Sequence, residues 1–117
     1  YKRQGKRRDA KAGPALAKMI YGPDADLARA ALAALGQVGG VASKKELQAA
    51  LGKTTGMVRM AAADACLHCA ERLLEAGQRA EGLDLYAVLS APDVPKAARL
   101  AAMHGIIREE TSTSRPR

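Results

Sequence analysis

Three stretches decide the fold: A-R-A-A-L-A-A-L at residues 28–35, V-R-M-A-A-A-D-A at 58–65 and A-R-L-A-A-M-H-G at 98–105. Their arginines, Arg29, Arg59 and Arg99, are 30 and 40 residues apart. A period in that range is the mark of stacked helical pairs. Alanine supplies 26 of the 117 residues. Such small side chains let helices approach closely and interdigitate. Alanine and leucine favour helix and β-branched residues are few, so the chain is expected to be all-α.

Working outward, each arginine helix follows a shorter helical segment and a turn. In the first unit, about 14–40, Pro14 suits a first helical position, and Leu16, Met19 and Ile20 form an apolar stripe. Gly22-Pro23-Asp24 is turn chemistry, and a helix is expected from about Asp26 to Leu35, stopped by Gly36 and the Gly39-Gly40 pair. In the second unit, about 41–77, Ser43 with Glu46 reads as a capping box, and Gly52 to Gly56 as the turn. A long helix is expected over about 56–76, ending at Gly77. In the third unit, about 78–110, Leu83, Tyr86 and Leu89 form the stripe, 91–95 the turn, and about 96–109 the last helix. Between Arg29 and Gln37 every residue is Ala, Leu or Gly, so the first arginine helix is expected to be buried all round, with something covering its outer side.

The turn followed by x-x-[VA]-R-x-A-[AL] resembles the HEAT repeat family, in three consecutive units covering roughly 97 of the 117 residues. The run A-L-G-Q-V-G-G, 34–40, is similar to the short HEAT-like repeats of the phycobilisome-lyase type. The resemblance implies an α-solenoid of about three antiparallel helix pairs, an armadillo-like superhelix. It also implies a ladder in which Arg29, Arg59 and Arg99 meet turn acids, Asp93 and either Asp24 or Asp26. The second turn, Thr54-Thr55-Gly56, carries no acid and departs from that pattern. In such arrays the second helices line the concave side. Asp64, His68, Glu71, Arg72 and Glu75 share one face of the second such helix. By the same resemblance they form a partner-binding wall, which His104 and Arg108 extend. The implied function is a non-catalytic scaffold fragment of a larger protein, holding a protein partner or other domains of its own chain. The short-repeat likeness alone suggests an enzyme-accessory or lyase-like role.

Charge divides the chain. The total is +7. Residues 1–11 hold Lys2, Arg3, Lys6, Arg7, Arg8 and Lys11 against Asp9, a balance of +5, and 111–117 add +2. The stretch between has 11 bases and 11 acids. A basic disordered arm, 1–12, and a disordered tail, 111–117, are therefore expected to flank a neutral domain, 13–110. The arm supplies the alternative reading, nucleic-acid contact through counterion release. It lacks the apolar residues a membrane surface would require. No apolar run approaches the roughly 18–20 residues of a membrane span. The chain shows no signal-peptide core, and beginning at Tyr1 it is expected to be a piece of a longer protein.

Cys66-Leu67-His68-Cys69 is the one metal- or redox-like motif. With Arg59 at 0°, a helix sets Cys66 near about 340°, Cys69 near about 280° and His68 near about 180°. The three cannot converge on one ion, so core packing is expected, with no metal and no cofactor. No Ser or Cys nucleophile shares a face with Asp64 and His68, so no hydrolase constellation forms. The glycines at 36–40 lack the Lys-Ser/Thr of a phosphate loop.

Overall fold

The computed structural model describes residues 18–114. The basic arm and the start of the first helical segment lie outside the described residues. After a helical turn over 18–20 come α1 (Ala25–Val38), α2 (Gly40–Lys53), α3 (Gly56–Glu75), α4 (Arg79–Leu89) and α5 (Lys96–Ser114). Every regular element among the described residues is helical.

Each start and stop has a local cause. Asp24 caps α1, its carboxylate accepting from Asp26 N at 3.0 Å and Leu27 N at 3.3 Å. Gly39 ends α1 and begins α2 with φ 70, a left-handed value that suits glycine. Gly40, the first residue of α2, has φ 84, so two left-handed glycines reverse the chain. This overturns two expectations. Gly36 does not stop α1; it lies buried inside it. Ser43 caps nothing; it is buried in the first turns of α2, whose N-cap is Gly39 with no side-chain bond. The third turn and the Gly77 stop fall where the sequence set them. α5 runs on to Ser114, so helix enters the segment 111–117 that had been assigned to a tail.

Packing is strictly local along the array. Each helix touches only the helices one or two places along, and α3 touches all four others. The result is a slab of 48 × 38 × 16 Å. Its least dimension matches two helix layers, since axes about 8–10 Å apart with backbone radii of about 2.3 Å span roughly 13–15 Å. The core runs through the slab as Leu32, Leu35, Leu47, Cys66, Leu73, Leu85, Tyr86 and Leu89.

Two glycines permit close crossings. A Cβ on Gly36 would sit 2.9 Å from the Ala65 carbonyl oxygen, so α1 and α3 meet backbone to backbone. A Cβ on Gly105 would sit 2.6 Å from the ring of Tyr86, so α5 rests on that ring. The first arginine helix is not buried all round: Leu27, Ala30, Ala33 and Val38 are exposed. Its alanines serve one close face, against α3, rather than every face.

Candidate functional site

α3 turns Ala62, Ala63, Cys66, Cys69, Ala70 and Leu73 into the core. Helical periodicity then sends Asp64, His68, Glu71, Arg72 and Glu75 outward, and all five are exposed. They fall into two groups, Asp64, His68 and Glu71 in one and Arg72 with Glu75 in the other. His68 Nε2 lies 3.7 Å from Asp64 Oδ2, and its Nδ1 lies 3.8 Å from Glu71 Oε1. Both distances are too long for hydrogen bonds. Arg72 Nη1 is 4.0 Å from Glu75 Oε1. Its Nε donates to Gln37 O at 2.9 Å, in the last turn of α1. Arg72 thus satisfies a carbonyl at a helix C-terminus, where a cation is favoured.

A shallow trough follows the seam of α1 and α3. One hollow of about 250 Å³ is lined by Arg29, Ala33, Gln37, Ala61, Asp64, Ala65 and His68. Beyond it lies one of about 120 Å³ beside Glu71, Arg72 and Glu75. In the other direction the wall becomes apolar, with Met57 65% and Met60 60% exposed. The outer face of α3 is therefore graded, thioether at its start and charged at its end.

Arg108 of α5 hydrogen-bonds Tyr86. Burial raises the Tyr86 pKa above the usual phenol value, the Glu71 carboxylate adds to the rise, and the Arg108 charge and hydrogen bond oppose it. Glu71 of α3 and Arg108 of α5 thus both act on one hydroxyl. His104 is exposed on α5, and no interaction among the described residues ties it to the α3 row.

The arginines of the three similar stretches differ. Arg59 is half-buried and tied on three sides: Nε donates to Leu51 O at 3.0 Å, Nη1 to Asp93 O at 2.6 Å, and Nη2 lies 3.5 Å from Asp93 Oδ2. Arg99 donates to Pro92 O at 2.8 Å, within its own turn. Arg29 pairs with Asp26 of its own helix at 3.8 Å. Asp24 is spent on the cap of α1.

Cys66 and Cys69 are fully buried, whereas His68 is exposed. Burial pushes the Cys66 thiol up to about 12, with Cys69 adding to the rise. Burial also raises Cys69, against the pull of Lys44. Neither is a ready thiolate near neutral pH. Among the described residues no group of three His, Cys, Asp or Glu side chains could hold a metal ion, and no helix is long and apolar enough to cross a membrane.

Sequence reasoning missed Lys44. Its side chain is 8% exposed, and Nζ donates to Glu81 Oε1 at 2.6 Å and Asp84 Oδ2 at 2.7 Å, tying α2 to α4. Burial is the largest single influence and lowers its pKa, but the bonds and charges of Asp84 and Glu81 together outweigh it, so the pKa is raised. The signal available was a lone lysine amid the buried positions Ser43, Leu47, Ala50 and Leu51. Its partners are 37 and 40 residues away, beyond any local pattern.

The chain matches no family model, no curated protein and no solved structure.

Proposed function

We propose that the chain is a non-catalytic interaction module of the HEAT type, which holds a protein partner or another domain of its own chain on the outer face of α3. One observation carries this reading. α3 packs against every other described helix, yet its outer side stays exposed from Met57 to Glu75. A central helix open along its whole length is a preformed surface that needs no rearrangement to bind. Two further observations support the repeat architecture: contacts confined to near neighbours along the chain, and the Arg59–Asp93 link between successive units.

The face states what it would accept. Asp64, Glu71 and Glu75 outnumber Arg72, and the methionines form an adaptable apolar patch at the other end. A segment with an apolar anchor followed by basic residues complements that gradient. The test is a photo-reactive residue placed at Met60 or His68 of the chain in cells. Lys45, exposed on α2, serves as the control position. A discrete protein adduct is expected from the two α3 positions and not from the control. Identical adducts from all three positions sink the reading.

The basic residues at 1–11 favour a second reading, nucleic-acid association through Lys2, Arg3, Lys6, Arg7, Arg8 and Lys11. Affinity for duplex DNA or RNA should then fall steeply with salt and vanish when residues 1–12 are deleted. Binding that survives the deletion excludes it.

A further inference from the structure

The outer face of α3 carries negative charge that its neighbours answer only at a distance. Several carboxylates elsewhere are met closely. Lys44 Nζ holds Glu81 and Asp84 at 2.6 and 2.7 Å, Arg59 lies 3.5 Å from Asp93, and Asp24 caps α1. Asp64 and Glu71 instead face the imidazole of His68, at 3.7 and 3.8 Å, and Glu75 faces Arg72 at 4.0 Å. All three distances exceed a hydrogen bond, and one carboxylate can accept about four. The three side chains are exposed, so that acceptor capacity is turned outward. Against Arg72 the three acids leave a balance of −2. Arg29, at the other end of the trough, is answered by Asp26 of its own helix.

The same chain brings the opposite charge to this helix. Residues 1–11 have a balance of +5. They join the described chain at residue 18, three residues before Tyr21. The Tyr21 ring lies 5.7 Å from Lys53 Nζ, at the end of α2, and α3 begins three residues later. α1 then runs along α3 in the same direction: Arg29 borders Met57 and Met60, Gly36 meets Ala65, and Gln37 O accepts from Arg72. The chain therefore enters beside the Met57 end of α3. From there Glu75 is about 30 Å away along the helix, and 17 residues can span up to about 60 Å. Reach permits the contact, and charge selects the face. Being part of the same chain also raises the segment's concentration at that face to on the order of 1 mM, enough to populate a weak contact.

We propose that the basic segment 1–11 docks on the outer face of α3, its lysines and arginines pairing with Asp64, Glu71 and Glu75. The chain thereby covers its own face, and a partner binds by displacing the segment while the helices stay as they are. This inference rests on the reading of that face as a docking surface and names its resident occupant.

The experiment is zero-length carbodiimide crosslinking of the purified full chain, which joins a lysine to a carboxylate only where the two touch. Mass spectrometry should find amide links from Lys2, Lys6 or Lys11 to Asp64, Glu71 or Glu75. The links should fall several-fold at about 1 M salt, where screening acts over about 3 Å. In an equal mixture of isotopically heavy and light chains, each link should join residues of one chain. Links made equally to Asp24 and Asp26, beside the entry point, overturn the proposal, as do links of mixed isotope or links indifferent to salt. Lys6→Gln, Arg7→Gln and Arg8→Gln together provide a second readout outside the helices. They should shift the backbone amide resonances of residues 64–75 and leave those of Glu81 and Asp84 in place; unmoved resonances at 64–75 also overturn it. Both measurements use the chain alone, so their failure leaves the adducts in cells to judge the partner reading. Failure of those adducts leaves the intramolecular links standing.

Discussion

The two junctions between successive arginine helices are built on different principles. Where α1 meets α3, Gly36 lets the backbones come within van der Waals contact, and Arg29 stays with its own helix. Where α3 meets α5, Arg59 reaches across to Asp93 in the turn before α5, and Tyr86 of α4 lies against Gly105. The turn after α2, Thr54-Thr55-Gly56, has no carboxylate. One junction is therefore held by steric closeness and the other by an aromatic wedge and a charged tie. Two packed helices can do without a polar tie and still stack, provided small residues allow closer approach.

The largest effect should come from the wedge. Tyr86→Ala removes a fully buried aromatic ring and should cost about 3–5 kcal/mol in urea unfolding. If the cost falls below that of an exposed substitution, the wedge is not what holds α5. Next is Gly36→Ala. Alanine gains about 1 kcal/mol of helix propensity, but its Cβ meets the Ala65 carbonyl oxygen, an overpacking cost of about 1–3 kcal/mol. Gly52→Ala, in open space on α2, is the control and should stabilise by about 0.5–1 kcal/mol. Matching signs for the two substitutions would refute the close-approach account of the first junction.

The arginines separate the junctions more finely. Arg59→Ala leaves the Leu51 and Asp93 carbonyls without their donor and should cost about 1–2 kcal/mol. Asp93→Ala should cost under about 1 kcal/mol, because the carboxylate is exposed and the main-chain acceptor remains. Arg29→Ala should lie within about 0.5 kcal/mol of wild type. Equal losses at Arg29 and Arg59 in thermal melts would erase the distinction.

The smallest effect near neutrality, and the clearest above it, concerns Lys44. Its raised pKa gives stability that is complete below the unfolded lysine value of about 10.4 and lost as pH rises through the folded value. Cys66 acts in the same direction. The folded chain holds its proton to about 12 while the unfolded thiol ionises near about 8.5, so stability drains between those values. Lys44→Met should flatten the later part of the alkaline loss, and Cys66→Ala the earlier part. Glu81 and Asp84 are partly exposed and regain water once the lysine is gone, so Lys44→Met should change neutral stability little. An unchanged alkaline profile in both variants would contradict the assignment.

Local chemistry was legible in the sequence: the Gly22-Pro23-Asp24 turn, the Gly77 stop, the 91–95 turn, and the division of α3 between buried cysteines and an exposed charged row. Other features were not. Ser43 and Glu46 have the spacing of a capping box, but a reversal at Gly39 and Gly40 starts α2 earlier and carries Ser43 into the core. The all-apolar run in α1 reads as full burial, whereas closeness on one face already explains its alanines. Lys44, the bond from Arg72 to Gln37 and the meeting of Glu71 with Arg108 at Tyr86 join residues far apart in sequence, and no period announces them.

The order in which the helices meet bears on how the chain acquires its shape. Helices that meet only those one or two places along give a low contact order, and little loop-closure entropy precedes each gain in burial. Folding should be fast, in the microsecond-to-millisecond range of helical domains. α3, in contact with all four other helices, is the natural nucleus. Leu73→Ala should then slow refolding, while Ala98→Gly at the far end of the array should chiefly speed unfolding, a contrast that stopped-flow chevrons would display.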